Sequence, residues 1–506
     1  MRVRFQILFL LFALPLFAGN RTDSVRSEVS RWESPWRAFN NSFEYNPAAT
    51  YSVPVKNITS VGASCTASNA DNGMYLIQEG NAASALNLHT ESFQVDKNYR
   101  FFGKAYFLTD QKNKVGWRDA EDFELLSPYL VADSIGGTYK RESYFLSGGA
   151  SVRSRNMEWG IRASYQGGVS YRQVDPRPRN TVSVIRINPG INYKMGNWNV
   201  GWFAEYERYR QNVDIQVEKE GRKIYFYLLQ GFGIYNRQFS GMGDTFSRIY
   251  KGNQYSSGLH FIYDDKQQST SGLVSLNNNI IQVVENSNRI PYRISDNKIS
   301  LELTHERGLF GRTLFFKALY NLQQTIGNET QYTPVTINTT LVEWQFATQS
   351  DRYQQFNQNI HFSALLADKK LNQLSVWEQV DIHWLDSRQN YYYPDYQMNI
   401  QDISGSGTVG INYPLKKSTL VGSLKAGYKK NLSSSLFQEE NNEITTQLII
   451  PDYDFRRLNM AFYQLNMAYR FPVFKSLLAN ISVDGGFQTA GTKIAFSTDI
   501  CFALNF

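Results

Sequence analysis

Cysteine is almost missing: Cys65 and Cys501 are the only two in 506 residues. That excludes a disulfide scaffold and a four-cysteine zinc site. Charge is sparse as well, at 19% of residues, while aromatics reach 15%; this excludes a disordered chain and a charge-laced coiled coil. No run of Lys and Arg forms a stripe, so the formal net charge of +7 gives no footprint for nucleic acid. Beyond residue 17 there is no hydrophobic run long enough for a membrane helix. Local catalytic signatures are absent too: no G-x-S-x-G, H-E-x-x-H, phosphate-binding loop or EF-hand loop occurs.

What is present begins with an export signal. Arg2 and Arg4 precede an apolar segment from Phe5 to Phe17, which ends at Ala18-Gly19. A charged start, a short apolar core and small residues at the end predict a secretory signal over residues 1–19. Without Arg2 and Arg4 the net charge falls by two. No Cys follows the segment, which speaks against a lipid anchor. Residues 20–56 are expected to form a periplasmic N-terminal segment, and 57–506 the folded body.

Period-2 alternation then recurs along most of the chain. Over residues 158–171, Trp159, Ile161, Ala163, Tyr165, Val169 and Tyr171 share one face, and Glu158, Arg162, Ser164, Gln166 and Ser170 the other. Residues 184–195 set Ile185, Ile187, Ile191 and Tyr193 against Arg186, Asn188, Asn192 and Lys194, and a Gly196-Asn197 turn leads into the next such unit. A soluble sandwich would use strands of about 5–6 residues. Here the units run to about 11–14 residues, the length a tilted strand needs to cross a bilayer. Trp159 and Tyr171 would lie roughly 30 Å apart along the membrane normal, as two aromatic girdles would. The polar face, with Arg162, Arg186, Lys194, Glu205, Lys425 and Asp499, then lines a wet lumen.

Counting turns backwards from the C-terminus gives short connections at 471–475, 414–417, 368–372, 307–312, 264–268, 196–197, 154–157 and 96–98. Between them lie mostly long ones, at 431–455, 387–401, 326–351, 211–252, 110–139 and 67–83. Short periplasmic turns alternating with long outside loops are the pattern of a transmembrane antiparallel up-and-down β-barrel. The fold class expected is therefore all-β, with about 18 strands in a range of roughly 14 to 20. Backbone groups in hydrocarbon must be paired, so the first strand, near residues 58–65, must close on the last. Cys65 then falls on the lipid face and Cys501 on the lumen face.

The chain ends on an alternating strand carrying Phe496, Phe502 and Phe506. This resembles the C-terminal signal by which Gram-negative outer-membrane proteins are recognised by the barrel-assembly machinery. Asn46-Pro47-Ala48, the stretch from Gln78-Glu79-Gly80 to Gly103-Lys104-Ala105-Tyr106, and Ser127-Pro128-Tyr129 with Ala132-Asp133-Ser134-Ile135-Gly136-Gly137 resemble an uncharacterised Bacteroidota family of outer-membrane β-barrel proteins, a domain of unknown function. The resemblance implies class and location, and no activity. Asn46-Pro47-Ala48 is also similar to a motif in long-chain fatty-acid transporters and secretion-associated barrels; by residue type it reads as a turn before the first strand.

No cofactor, metal or catalytic set is expected. His89, His260, His361 and His383 fall on the lumen face and His305 on the apolar face. A turn centred near Lys369-Lys370 would set His361 opposite Glu378 and about 16 Å from His383, too far to share a metal. Outside connections carry Tyr225, Tyr227, Phe232 and Tyr235, and Tyr391, Tyr392 and Tyr393, as candidate contacts to a ligand or partner; the alternative is loop-on-loop packing. The leading expectation is a porin-like or accessory channel for a small solute in the outer membrane of a Gram-negative bacterium, exported by the general secretory route. Its partners would be outer-membrane lipid, the assembly machinery, and a surface lipoprotein or uptake complex. The N-terminal segment is too short for the folded plug of an active, energy-coupled receptor, which favours passive transport or an accessory role. Two alternatives remain: a loop-plugged docking barrel and a barrel-embedded hydrolase.

Overall fold

The computed structural model describes residues 22–506 except 72, 219–223, 241–244, 266, 286–288, 339–340, 370–372, 440–441 and 475. Its strands are β1 (Ile58–Ala70), β2 (Ala82–Asp96), β3 (Tyr99–Val115), β4 (Val131–Ala132), β5 (Gly137–Ser154), β6 (Met157–Tyr171) and β7 (Arg177–Met195). There follow β8 (Trp198–Gln216), β9 (Ile224–Gly231), β10 (Ile234–Ser240), β11 (Thr245–Asp264), β12 (Gln268–Val284), β13 (Tyr292–Leu309) and β14 (Arg312–Asn338). The last are β15 (Leu341–Ala367), β16 (Ser375–Tyr391), β17 (Tyr396–Pro414), β18 (Thr419–Phe437), β19 (Met460–Phe474), β20 (Leu477–Ala490) and β21 (Lys493–Asn505).

All but β4, β9 and β10 belong to one 18-stranded sheet, and every neighbouring pair in it is antiparallel. The sheet closes because β1 pairs with β2 on one side and with β21 on the other. Reciprocal backbone bonds between Thr59 and Phe506, 2.8 and 2.9 Å long, extend that seam to the last residue. Closure leaves no edge whose N–H and C=O groups would go unpaired in hydrocarbon. The molecule is a closed transmembrane antiparallel β-barrel.

Alternation decides what each face meets. Leu146, Trp159, Ile161, Ile185, Ile187, Leu424 and Phe502 stand exposed on the outer wall. The residues between them point inward, where Ser143, Asn192, His260 and Asp402 are buried. Cys65 is exposed, and Cys501, one strand away at Ser64, takes the opposite face, so both thiols are free.

The eight short turns fall at one end of the barrel, where the sequence places them. Phe310-Gly311, both at positive φ (49° and 79°), make the two-residue reversal that matches strand twist. The opposite end departs from expectation. Residues 387–401 do not form a long loop: β16 runs to Tyr391 and β17 resumes at Tyr396, leaving four residues of turn. Residues 326–351 are likewise a hairpin, because β14 and β15 each continue for 27 residues. Alternation there persists on sequence too polar for a membrane-crossing strand, because pairing between β14 and β15 continues beyond the apolar belt. Residues 224–229 belong to β9, which with β10 and β4 forms a separate three-stranded sheet.

One register is corrected. His361 lies directly across from His383, and Glu378 across from Leu366. The β15–β16 connection is longer than a turn at Lys369-Lys370 would make it, which shifts the pairing. The two rings sit 6.3 Å apart between centroids.

Leu424 lies midway between Leu420 and Tyr428 on the outer face of β18. Leu424→Arg is expected to cost about 2–4 kcal/mol in guanidinium unfolding from vesicles, whereas inward Lys425→Gln costs under about 1 kcal/mol. Equal losses at the two positions would mean the faces are wrongly assigned.

Candidate functional site

An 18-stranded barrel is too wide for wall side chains to fill. Here chain segments close it from both ends. At the short-turn end, helix Thr22–Trp32, the turn Pro35–Phe39 and helix Ser42–Tyr45 pack inside the wall. Val25, Val29, Trp32 and Phe43 bury against Ile58, Phe93 and Leu478, and Phe39 against Phe315 and Leu365. Polar anchors tie the same segment to strands around the circumference. Arg162 donates to the Phe43 and Glu44 carbonyls at 2.8 and 2.7 Å, Lys317 to that of Ala38 at 3.1 Å, and Arg26 to that of Ser418 at 2.8 Å. Arg470 pairs with Glu33. Residues 22–56 form no core of their own; much of the surface they bury is supplied by the wall.

The tightest contact is Asn46-Pro47-Ala48. Asn46 is fully buried. Its Oδ1 accepts from the Ala48 N–H at 2.9 Å, an Asx turn. Its Nδ2 donates to the carbonyls of Ile191 at 3.0 Å and Trp202 at 3.3 Å, with His260 Nδ1 at 3.5 Å. The wall makes room by omitting side chains. A Cβ on Gly190 or Gly201 would strike the Asn46 amide, and one on Gly160 would strike the Pro47 carbonyl. Gly160 and Gly190 are cross-strand partners, so the notch is one recess in the sheet. Thr50 donates to Glu158 beside it.

At the opposite end three loops fold into the mouth. Helix Phe123–Leu126 and β4 bring Trp117, Phe123, Leu126 and Tyr129 against Phe226 and Leu228 of β9. Ile444 and Leu448, from the loop between β18 and β19, enter the same cluster, which rests on inward Tyr250, Ile281 and Ile294. Buried polar groups pin this cap. Arg172 pairs with Asp133 at 2.5 Å and with Asp119 at 3.5 Å, and Tyr139 donates to Asp119 at 2.7 Å. Tyr250 donates to the Tyr129 carbonyl at 2.9 Å.

Between plug and cap lies a polar chamber on the inner face of β14–β17. One part, about 430 Å³, is lined by Asn321, Gln323, Gln355, Asn357, Asn359 and Gln389. An adjoining part, about 500 Å³, holds His361, Asp381, His383 and Lys425. His361 Nε2 lies 3.5 Å from Asp381, which also accepts from Ser363 at 2.6 Å. No group of three metal-ligating side chains forms among the described residues.

The residues singled out from sequence divide by location. Arg162 holds the plug, and Arg186 pairs with Glu207 beside Glu205. Lys425 reaches the chamber at 3.9 Å from Asp381, and Lys194 is exposed near the short-turn end. Tyr227, Phe232 and Tyr391 are buried, Tyr391 donating to Glu329 at 2.9 Å, and Tyr235 packs on the cap cluster. Tyr225, Tyr392 and Tyr393 are exposed. Phe496 and Phe502 face outward. The chamber amides went unnoticed, although Gln355, Asn357, Asn359 and His361 at every second position carry a readable signal.

A closed barrel with an apolar exterior and a polar, plugged interior is an outer-membrane-type β-barrel. The chain belongs to the family of unknown function DUF6850, which it matches over residues 47–506. No curated protein matches it. Among solved structures it is similar to the ferric citrate transporter FecA in the unliganded form, at 11% identity over 89% of this chain and 79% of that one, TM-score 0.40. It is also similar to the ferric yersiniabactin uptake receptor FyuA from Yersinia pestis (8%, 89% and 80%, TM-score 0.38) and to BauA, the ferric preacinetobactin receptor from Acinetobacter baumannii (8%, 88% and 80%, TM-score 0.38).

Gly190→Val should expel Asn46 from its notch. Proteolysis of residues 22–57 in the folded protein is expected to accelerate while heat-modifiable migration of the barrel persists; unchanged proteolysis would show that the notch does not hold the plug. The cap should respond to pH. Burial pushes the carboxyl of Asp452, on helix Ile450–Arg456, up to about 6 from its ordinary 3.8, with Arg456 pulling partly back. A raised folded-state value favours the protonated form, so this contribution is present in acid and lost as pH rises through about 6. Protease nicking at 438–459 is expected to increase over that rise, and Asp452→Asn to flatten it.

Proposed function

We propose that the chain is an outer-membrane uptake barrel for a small solute, exported from the cytoplasm of a Gram-negative bacterium and closed at rest by its own N-terminal segment and cap. The observation that carries this reading is the polar chamber between two fitted closures. A barrel serving only as a scaffold needs no hydrogen-bonding cavity at its centre. The short-turn end faces the periplasm and the capped end the exterior, in keeping with short turns on the side where the termini meet. Outer-membrane lipid surrounds the belt, the barrel-assembly machinery inserts it through the strand ending in Phe506, and a surface lipoprotein or uptake complex is the partner that would open the cap.

A second reading, a docking barrel, draws on one feature. The β14–β15 hairpin is longer than every other and exposes Trp344 and Phe346.

Planar-bilayer recording separates the two. The full chain is expected to be silent, as is a variant lacking only residues 217–244. Loss of both 22–57 and 217–244 is expected to give stable conductance. Silence of the doubly opened variant, with heat-modifiable migration showing a folded barrel, would defeat the uptake reading.

A further inference from the structure

The chamber wall has a chemical character of its own. Across β14, β15 and β16 the inward residues pair as Asn321 with Asn359, Gln323 with Asn357, and Gln355 with Gln389. Six carboxamides therefore stand side by side on a continuous patch of sheet. Each offers a donor and an acceptor and no charge. Most charged groups nearby are matched: Asp402 with Lys429 at 3.3 Å, Asp381 with Lys425 at 3.9 Å and His361 at 3.5 Å, and Arg456 faces Asp452, while Lys298 also lines the recess with no acid opposite it among the described residues. Asp296 accepts from Gln323 at 2.8 Å and Thr325 at 2.6 Å. The wall is not fully satisfied from within, since Asn359 Oδ1 has no hydrogen-bond partner among the described residues. Leu385, Met398 and Ile400 border the amides and give the recess an apolar flank.

We propose that this amide wall is a binding site for a neutral polyhydroxylated solute, a saccharide of one or two rings. Hydroxyl groups donate and accept at once, as carboxamides do, so adjacent amides on a rigid sheet can meet adjacent hydroxyls in pairs. The C–H face of a sugar ring rests on the apolar flank. A cationic solute would meet Lys298 and Arg456 with no free carboxylate to match it, and a free peptide would need a counter-charge for each terminus; an anionic sugar drawn by Lys298 is the competing occupant that maltobionate tests. A volume of about 430 Å³ lies within the range of small-molecule sites. The assignment rests on the uptake reading for its biological sense, while its binding test stands apart from conductance.

Saturation-transfer NMR on the refolded full chain, and on the variant lacking residues 217–244, tests it with maltose, cellobiose and N,N′-diacetylchitobiose. Maltobionate and a blocked triglycine serve as ionic and amide competitors. At least one neutral disaccharide is expected to give transfer in one or both proteins, and the competitors to give little. Asn357→Leu with Asn359→Leu should weaken binding roughly tenfold, the effect of two lost hydrogen bonds. The near-isosteric Asn357→Asp with Asn359→Asp should do the same while leaving heat-modifiable migration intact. No transfer from any neutral saccharide in either protein, stronger transfer from the blocked peptide or maltobionate, or undiminished transfer in the aspartate variant would overturn the proposal. Conductance of the doubly opened variant without saccharide binding would leave the uptake reading standing and remove only the solute class. Saccharide binding without conductance would do the reverse.

Discussion

The pairing of β1 with β21 is the contact on which everything else depends. A sheet immersed in hydrocarbon cannot end, because each unpaired N–H or C=O at an edge costs several kcal/mol. Closure at eighteen strands removes the edges and creates a second difficulty: an interior wider than two layers of side chains. An empty lumen of that width would be an open hole in a permeability barrier. The plug and the cap answer that difficulty differently. Apolar contacts and polar anchors to wall strands spread around the barrel hold the plug against the wall, whereas the cap is an apolar cluster built mainly among its own loops with a few buried ion pairs.

That contrast bears on which closure can move. The plug shares apolar side chains with the wall and fits one recess through Gly160, Gly190 and Gly201. Displacing it would empty the notch and strand the Asn46 amide as a unit. The cap is assembled from three separate connections meeting over Tyr250 and Ile294, with half-buried Asp452 lining the recess beside them. It can loosen one loop at a time. Between them, the amide wall of β14–β16 is held by ladder bonds on both sides of each strand. A site built on such a wall keeps its geometry whichever closure opens.

Much of this architecture was legible along the chain. The alternation of Trp159, Ile161 and Tyr165 with Arg162 and Ser164 places each residue inside or outside, because a strand has only two faces. Short turns such as Gly196-Asn197 and the one within 307–312 fell where the sequence put them, whereas the β15–β16 connection, 368–374, ran past the expected 372. Less legible were the outer strand ends: the hairpin of β14 and β15 continues on polar sequence whose pairing partner is the only reason it stays extended. His361 and His383 show the same limit. Their faces were evident, but their distance depended on how many residues the intervening turn consumed.

By itself the sequence determined period, face and parity, and with them an all-β membrane barrel, since these are properties of a residue and its neighbours at i±2. Tertiary structure alone decided what fills the barrel. Asn46-Pro47-Ala48 is locally a turn, and becomes a latch only because three glycines from two hairpin strands and their neighbour meet opposite it. Tyr227 is buried, and Tyr393 exposed, by the fold of connections that share no periodicity with the wall, whereas Tyr391 closes β16 on its inward face. The chamber amides were spaced by the strand, yet became a site only when three strands were set in one register.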